Sequence, residues 1–170
     1  MRLATLELHK EFMKFSAGHF TVFSATHREN LHGHNFRVFA ALTMPVGDNG
    51  MTVNYNYYKK KLKALCQSLN NFFLIPTQSP HLVIHEEADA WCVHFAEERM
   101  RFLKRDVLCL PLRNITVEEL SFWFVEQLLS DQHDMSEHQV QRISIKVYTG
   151  PGQAGRTDWT RSEGYELMPV

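Results

Sequence analysis

The sequence predicts an α+β fold in which two amphipathic helices lie on one face of an antiparallel sheet. Segments near both ends of the chain alternate apolar and polar residues, which is typical of strands with one buried face. Two longer segments between them repeat apolar residues every three or four positions, as in helices with one buried face. Three short alternating segments, 82–86, 91–96 and 99–102, predict an inserted β-hairpin or meander within about residues 80–105.

The composition indicates an ordinary globular protein. A chain of 170 residues can bury a core, and we interpret residues 1–170 as a single domain. Because the net charge is -1 and Lys and Arg form no dense stripe, nucleic-acid binding is not expected. No apolar run is long enough to cross a membrane, and the N-terminal residues lack the apolar core of a signal peptide, so a cytoplasmic location is expected. The three cysteines share no metal-type spacing, and a disulfide framework is not expected.

The first two strands are predicted on either side of a histidine-rich loop. Residues 5–15 alternate well enough to form a strand that leads to His19. Residues 35–44 form its antiparallel partner, with largely apolar residues on both faces. A strand of this kind lies inside a covered sheet or lines a subunit contact.

The spacing of apolar residues predicts two helices. The first begins at about Tyr55, and either Asn54 or Thr52 can cap it. The second begins after Thr116, which has Glu119 three residues later and so predicts a capping box.

The remaining segments are predicted as a loop and two strands. Residues 74–80 form the loop, and residues 139–149 form the last long strand, with alternate apolar residues facing the helices. After a Gly-Pro-Gly turn the tail returns as a short edge strand, with Trp159 and Tyr165 as packing residues.

Three histidines in residues 15–36 have the spacing of a metal site. His32 and His34 are two residues apart, so both rings point from the same face of a strand. Gly33 between them lets a ligand approach the backbone, and His19 lies beside them once the intervening loop folds back. Three imidazoles without a thiolate suit zinc, with one coordination position open for water or substrate. A histidine in an apolar strand is also commonly a hydrogen-bonded structural residue, and the spacing alone leaves both interpretations open.

The strings FSAGHF and LHGHNF resemble the zinc-ligand motifs of the 6-pyruvoyltetrahydropterin synthase and 6-carboxytetrahydropterin synthase family. The chain is similar to this family over nearly its whole length. The resemblance implies that His19, His32 and His34 bind Zn²⁺. It also implies a tunnelling fold (T-fold), in which oligomerisation, commonly to a homo-hexamer, completes a β-barrel and forms the sites at subunit interfaces.

The cysteine that usually acts as the family's general base is absent. Glu29 stands three residues before His32, and ENLHGH resembles a variant family motif, E-x-x-H-G-H, in which a glutamate replaces the cysteine and the reaction shifts toward cleaving the pterin side chain. Glu29 could accept a proton from a substrate hydroxyl. It could equally be a solvated loop residue or an acceptor for the N–H of a ligand imidazole.

Other family positions are partly matched. Relatives carry an aspartate and a histidine where this chain has Asn70 and Asn71, which cannot transfer protons. The string NITVEEL resembles the family motif N-P-T-S-E-N-L, which implies that Thr116 and Glu118 bind the pterin ring, although the helix dipole alone also favours a glutamate in the first turn. Relatives end the last strand with a ring-anchoring glutamate, and this chain has Tyr148, whose phenol could make one hydrogen bond or stack on the ring.

The resemblance therefore implies a zinc-dependent carbon–oxygen or carbon–carbon lyase. Its substrate would be a dihydropterin such as 7,8-dihydroneopterin triphosphate, in queuosine or folate biosynthesis. Because Asn70, Asn71 and Tyr148 replace expected groups, ordinary pyruvoyl- or carboxypterin synthesis is not expected, and the variant motif implies cleavage of the side chain as an alternative outcome. The alternatives are a non-catalytic zinc-binding homologue and a zinc enzyme with a different heterocyclic substrate.

Overall fold

The structure is a computed structural model that describes residues 1–162. The prediction for Tyr165 therefore lies outside the described residues. The elements in chain order are β1 Leu3–Leu8, β2 Lys14–His19, β3 His32–Pro45, α1 Asn56–Leu69, β4 Phe72–Pro76, β5 Val83–Glu86, β6 Ala90–Phe95, β7 Glu98–Leu103, β8 Val107–Leu110, α2 Val117–Leu129, α3 Gln132–Glu137, β9 Arg142–Gly150 and β10 Gln153–Thr160.

The main sheet has seven strands in the order β10-β9-β3-β2-β4-β8, with β1 also paired to β3. The long strand β3 pairs with β2 along its first half and with β1 along its second half. The sheet is mixed, because β4 runs parallel to both β2 and β8 while the other pairs are antiparallel. The parallel pairs are possible because long connections, one through α1 and one through β5–β7, join these strands.

Both predicted helices pack on one face of this sheet, as the sequence indicated. A single apolar cluster contains the buried side chains of α1 and α2 together with the inward side chains of β2, β3 and β9. On β9 the inward residues are Ile143, Ile145 and Val147, which alternate with half-buried residues on the opposite face. The predicted α+β fold is confirmed, but the prediction of an antiparallel sheet is wrong at β4, which runs parallel to β2 and β8.

Strands β5, β6 and β7 form a separate antiparallel sheet, which we call the meander. It follows the three predicted segments closely. Its inward side chains form a second apolar cluster with Ile75 and Val107 of the main sheet and with Phe20 and Val22, which follow β2. The meander therefore covers the face of β4 and β8 that the helices leave open.

The prediction of one strand over residues 5–15 is wrong. The chain turns after β1, where the amide of Met13 donates to the carbonyl of Lys10 at 2.9 Å, and β2 begins at Lys14. The prediction of a loop over residues 74–80 is wrong for its first part, because Leu74 and Ile75 lie in β4 and are fully buried.

The two helix starts agree with the predicted caps in part. The carboxamide of Asn54 accepts the amide of Asn56 at 3.1 Å, at the first residue of α1. At α2 the hydroxyl of Thr116 accepts the amide of Glu119 at 3.3 Å. The Glu119 carboxylate accepts the amide of Arg113 at 2.9 Å, so it does not close the predicted capping box on Thr116.

The C-terminal edge strand agrees with its prediction, since β10 pairs antiparallel with β9 and Trp159 packs against the main cluster. Within residues 1–162, no helix combines the length and apolar character needed to cross a membrane.

Candidate metal and catalytic site

The three motif histidines meet where β2 and β3 begin to separate. In the antiparallel register His19 lies opposite His32, and Ala17 lies opposite His34. The two-residue spacing puts His32 and His34 on the same face of β3. One nitrogen of each ring lies within 4.8 Å of the nitrogens of the other two. The predicted convergence of the three side chains is thus present in the structure.

Hydrogen bonds to backbone carbonyls orient two of the rings. Nδ1–H of His19 donates to the carbonyl of Ile115 at 2.8 Å, and Nδ1–H of His32 donates to the carbonyl of Asn30 at 2.8 Å. Since a carbonyl can only accept, Nδ1 carries a proton in both rings, and in the neutral form of each ring Nε2 is then the unprotonated nitrogen. This second hydrogen bond is the usual arrangement of a histidine that binds a metal through its other nitrogen.

The Nε2 atoms form the part of the cluster that a cation would satisfy. Those of His32 and His34 lie 3.0 Å apart. Nε2 of His19 is buried and has no hydrogen-bond partner among residues 1–162. A buried acceptor without a partner is costly, and a second unprotonated nitrogen close by cannot donate to it. The donor set and its orientation therefore fit a divalent ion such as zinc.

The surroundings favour the neutral form of His19 and His34. Burial lowers the pKa of His19, and the neighbouring His32 and His34 lower it further. Burial and the proximity of His32 also lower the pKa of His34. Because only the neutral imidazole binds a metal, His19 and His34 keep their binding form to a lower pH than ordinary histidines do.

Glu29 lies beside this cluster and is fixed by hydrogen bonds to Thr21. Its carboxylate accepts the amide of Thr21 at 3.0 Å, and its own amide donates to the carbonyl of Thr21 at 2.9 Å. The carboxylate lies 3.8 Å from Nε2 of His32. Burial would raise the pKa of Glu29, but the hydrogen bonds from Thr21 and the proximity of His32 outweigh it and lower the pKa. Glu29 is therefore an ionised carboxylate next to the three imidazoles.

The segment before α2 holds both the histidine and the loop in place. The carbonyl of Ile115 is the acceptor for His19. The carboxamide of Asn114 accepts the amide of Val22 at 3.2 Å and donates to its carbonyl at 2.8 Å. Sequence reasoning assigned no role to Asn114 or Ile115, because these contacts join residues more than 90 positions apart.

The predicted ring-binding residues do not form one group within this chain. Thr116 lies next to Ile115, but its hydroxyl accepts the amide of Glu119 as the helix cap. Glu118 is exposed in the first turn of α2. Tyr148 lies directly opposite Arg37 in the register of β3 and β9, on the face of the sheet away from Phe36 and the histidines.

Asn70 and Asn71 have structural roles at the end of α1. The carboxamide of Asn70 accepts the amide of Ser16 at 2.8 Å, and the amide of Asn71 donates to the carbonyl of Ser16 at 2.7 Å. Asn71 has φ of 67°, in the left-handed region that asparagine tolerates better than most residues. Both residues fix the turn between α1 and β4 against β2. Asn71 also lines a cleft of about 500 Å³ that reaches His34.

Comparisons of the sequence and of the structure with known proteins agree on one family and one fold. The sequence profile described as "6-pyruvoyl tetrahydropterin synthase" matches residues 7–157. A Methanocaldococcus jannaschii protein, provisionally named a 6-carboxy-5,6,7,8-tetrahydropterin synthase, is 22% identical over 142 residues, which cover 83% of this chain and 86% of that protein.

Two solved structures from Plasmodium vivax are similar over nearly the whole chain. The crystal structure of its 6-pyruvoyl tetrahydropterin synthase has a TM-score of 0.88 and 25% sequence identity, and the alignment covers 95% of this chain and 100% of that one. A variant of that enzyme, described as a catalytic residue mutant in which alanine replaces a glutamate, has a TM-score of 0.89, 24% identity and the same coverage. The profile match spans most of the sequence, and the chain belongs to the 6-pyruvoyl tetrahydropterin synthase family.

Proposed function

We propose that this protein is a zinc-dependent lyase that acts on a dihydropterin such as 7,8-dihydroneopterin triphosphate. The observation that carries the proposal is the convergence of three imidazoles, with a buried Nε2 of His19 that has no partner within residues 1–162. Membership of a pterin synthase family supports the substrate class.

His19, His32 and His34 would hold the ion, each through a nitrogen that the cluster directs inward. When bound, zinc would act as a Lewis acid on the hydroxyl oxygens of the substrate side chain. The chain itself supplies the orientation of the rings, because the carbonyls of Ile115 and Asn30 fix two of them.

Glu29 would act as the general base. Its lowered pKa keeps the carboxylate ionised near neutral pH, so it can accept a proton from a hydroxyl of a bound substrate. The hydrogen bond from Thr21 holds the carboxylate toward the cluster. The printed description of the Plasmodium vivax variant, in which the replaced glutamate is called catalytic, supports a glutamate in this role.

The groups proposed to bind the ring are Thr116, Glu118 and Tyr148. The carboxylate of Glu118 could accept two hydrogen bonds from the amidine edge of a pterin. Thr116 would contribute chiefly by capping α2 and so fixing the position of Glu118. Tyr148 lies on the opposite face of the sheet, so it would join a site only from a second copy of the chain.

Assembly into a homo-oligomer, with a barrel closed between subunits, remains part of the proposal. The face of the sheet that carries Tyr148 is lined by polar and charged residues such as Ser144 and Lys146, and β10 is an edge strand. Light scattering on the purified protein tests this, since a hexamer would have about six times the chain mass of 19.9 kDa.

A second candidate is a non-catalytic zinc-binding homologue. The structural roles of Asn70 and Asn71 favour it, because neither residue can move a proton at the position where relatives carry acid-base groups. A zinc enzyme with a different heterocyclic substrate is the third candidate, and the phenol of Tyr148 favours it because that group cannot replace a ring-anchoring carboxylate.

One experiment separates these candidates. The zinc-loaded protein is incubated with 7,8-dihydroneopterin triphosphate, beside a Glu29→Gln variant and a control variant, His94→Gln, in the meander. We expect product from the parent and from the control, and a fall in kcat of about 100-fold or more in Glu29→Gln. Product analysis by mass distinguishes side-chain cleavage from retention of the full side chain. No product from the parent would reject the proposal and favour the other two candidates.

A further inference from the structure

We propose that Arg28 is a positioning residue that holds Glu29 at the histidine cluster, and that Glu98 of the meander is its anchor. This inference rests on the proposed function, in which Glu29 transfers a proton. It assigns the meander a part in that function, because Glu98 is the first residue of β7, next to the turn that joins β6 and β7.

The guanidinium of Arg28 bridges two parts of the chain that are far apart in sequence. Nε–H donates to the carboxylate of Glu98 at 2.6 Å, and the Nη2 group contacts the same carboxylate oxygen. Nη1–H donates to the backbone carbonyl of Glu29 at 2.7 Å. One side chain therefore ties the peptide unit that follows the proposed base to the meander.

The surroundings of this guanidinium suit a positioning residue. Its central carbon lies 5.4 Å from the ring centroid of Phe20 and 5.8 Å from that of Phe95, and both rings are buried in the second apolar cluster. The side chain of Arg28 is 16% exposed, whereas those of Arg99 and Arg101 in the meander are 62% and 48% exposed. The guanidinium side of these charged hydrogen bonds is therefore largely shielded from water, which strengthens them relative to the hydrogen bonds of an exposed arginine.

The contacts of Arg28 are continuous with those that fix the Glu29 carboxylate. Arg28 forms an isolated bridge with Val22, and the next residue, Glu29, exchanges hydrogen bonds with Thr21. The amide of Thr21 has the Glu29 carboxylate as its acceptor, so its hydrogen exchange reports where that carboxylate is. If Arg28 loses its bond to Glu98, the pairing of residues 21–22 with residues 28–29 is no longer tied to the meander.

The test uses Arg28→Met and Glu98→Gln in the zinc-loaded full chain, with Glu86→Gln as the control. Glu86 makes an ion pair of 2.6 Å with Lys104 in the same meander, and its side chain is 59% exposed, close to the 54% of Glu98. Four quantities are measured: kcat and KM for 7,8-dihydroneopterin triphosphate, bound zinc, and amide exchange at Thr21.

We expect kcat to fall about 10-fold in both test variants, with KM changed less than about 2-fold and zinc content unchanged. Exchange at Thr21 should become about 10-fold faster or more. Glu86→Gln should match the parent in all four quantities. Because Arg28 acts through Glu29, adding Arg28→Met to Glu29→Gln should cause no further loss of kcat.

The outcomes separate this inference from the proposed function. Full activity in Glu29→Gln would reject the proposed base and, with it, the positioning role. Loss of activity in Glu29→Gln together with unchanged kcat and unchanged Thr21 exchange in Glu98→Gln would reject the positioning role alone. A loss of kcat that parallels a loss of zinc, or that appears equally in Glu86→Gln, would show a general structural effect and would also reject it.

Discussion

At the scale of single residues, the histidine cluster is costly to the fold before any ion binds. His19 is 4% exposed, and the Nε2 atom of its ring has no partner within residues 1–162. A polar atom in this state costs roughly 1–3 kcal/mol in folding free energy. We interpret this nitrogen, which has no hydrogen-bond partner within residues 1–162, as a ligand of the proposed zinc ion.

The first prediction concerns that nitrogen. His19→Ala should lower the affinity for zinc by about 100-fold or more, because it removes one of three ligands and even a residue that only orients a ligand costs 10- to 100-fold. Competition with a chelator of known affinity measures the change. His94→Ala, in the meander, should bind zinc as the parent does. Equal affinity in His19→Ala and the parent would show that the ion lies elsewhere.

The second prediction concerns acid pH in the metal-free protein. The pKa values of His19 and His34 are lower in the folded chain than the value of about 6.5 expected when unfolded. The unfolded chain then binds more protons than the folded chain. The contribution of these two histidines to the free energy of unfolding is therefore fully present above about pH 6.5, and it is lost as the pH falls through their folded pKa values. Urea unfolding between pH 7.5 and 5 measures this loss.

A double variant, His19→Gln with His34→Gln, provides the control for the pH series. It should lose most of the slope between pH 6.5 and 5, because the two groups with lowered pKa are gone. An equal slope in the parent and the double variant would assign the acid sensitivity to other groups.

The site was predictable at the residue scale where it depends on local geometry. The spacing of His32 and His34 and the position of His19 before the loop predicted that the three rings meet, although the spacing alone left a structural role open. The bonds from His19 to Ile115 and from Asn114 to Val22 could not be predicted, because they depend on how α2 approaches the sheet across more than 90 residues. The same limit applies to Arg28, whose partner Glu98 is 70 residues away.

At the scale of elements, the approach of α2 to β10 depends on one glycine. A Cβ atom built on Gly155 would lie 2.3 Å from the carbonyl carbon of Val117 and 2.4 Å from the amide nitrogen of Glu118. These are backbone atoms of the first helical turn and cannot move aside as a side-chain end can. Gly155 therefore sets the distance at which α2, and with it Glu118, lies against the sheet.

The third prediction is that Gly155→Ala lowers the free energy of unfolding by about 1–3 kcal/mol, since overpacking in a dense interior shifts the backbone. Urea unfolding measures it. Gly150→Ala is the matched control, because within residues 1–162 no atom lies within 4 Å of its added Cβ atom and its φ is outside the left-handed range. The control should be neutral or slightly stabilising. Equal stability of the two variants would show that α2 can move away without cost.

The elements that sequence reasoning missed share a physical cause. Strands β4 and β8 are short and buried on both faces: Leu74 and Leu110 face the helices, whereas Ile75 and Val107 face the meander. A strand covered on both sides has no polar face and so shows no alternation. Helix α3 has six residues, too few for a three-four repeat to be recognised. Three longer elements with an apolar and a more polar face, α1, α2 and β9, were predicted close to their observed positions.

At the scale of the whole molecule, β4 and β8 join two apolar clusters into one body. The helices cover one face of these strands, and the meander covers the other. Adjacent residues such as Leu74 and Ile75 belong to different clusters although they share one backbone. Unfolding of the meander would expose one face of β4 and β8 to water, which couples its stability to that of the main sheet.

The fourth prediction is that the chain unfolds in a single transition, as expected if residues 1–170 form one domain. Trp91 contacts the second cluster, whereas Trp123 and Trp159 contact the first. In a variant with Trp123→Phe and Trp159→Phe, the remaining tryptophan fluorescence reports the meander, and far-ultraviolet circular dichroism reports the helices and the main sheet. We expect the two signals to have the same midpoint in urea.

Truncation of a buried residue in each cluster makes the test sharper. Val93→Ala, in the meander, and Leu62→Ala, in α1, both remove a fully buried side chain and should each cost on the order of 2 kcal/mol or more. In a single cooperative body, Val93→Ala lowers the midpoints of both signals together, and so does Leu62→Ala. If Val93→Ala shifts the fluorescence alone, the meander is an independent unit. Glu98 would then anchor Arg28 from a part of the chain that opens separately, and the carboxylate of Glu29 would be released each time that part opens.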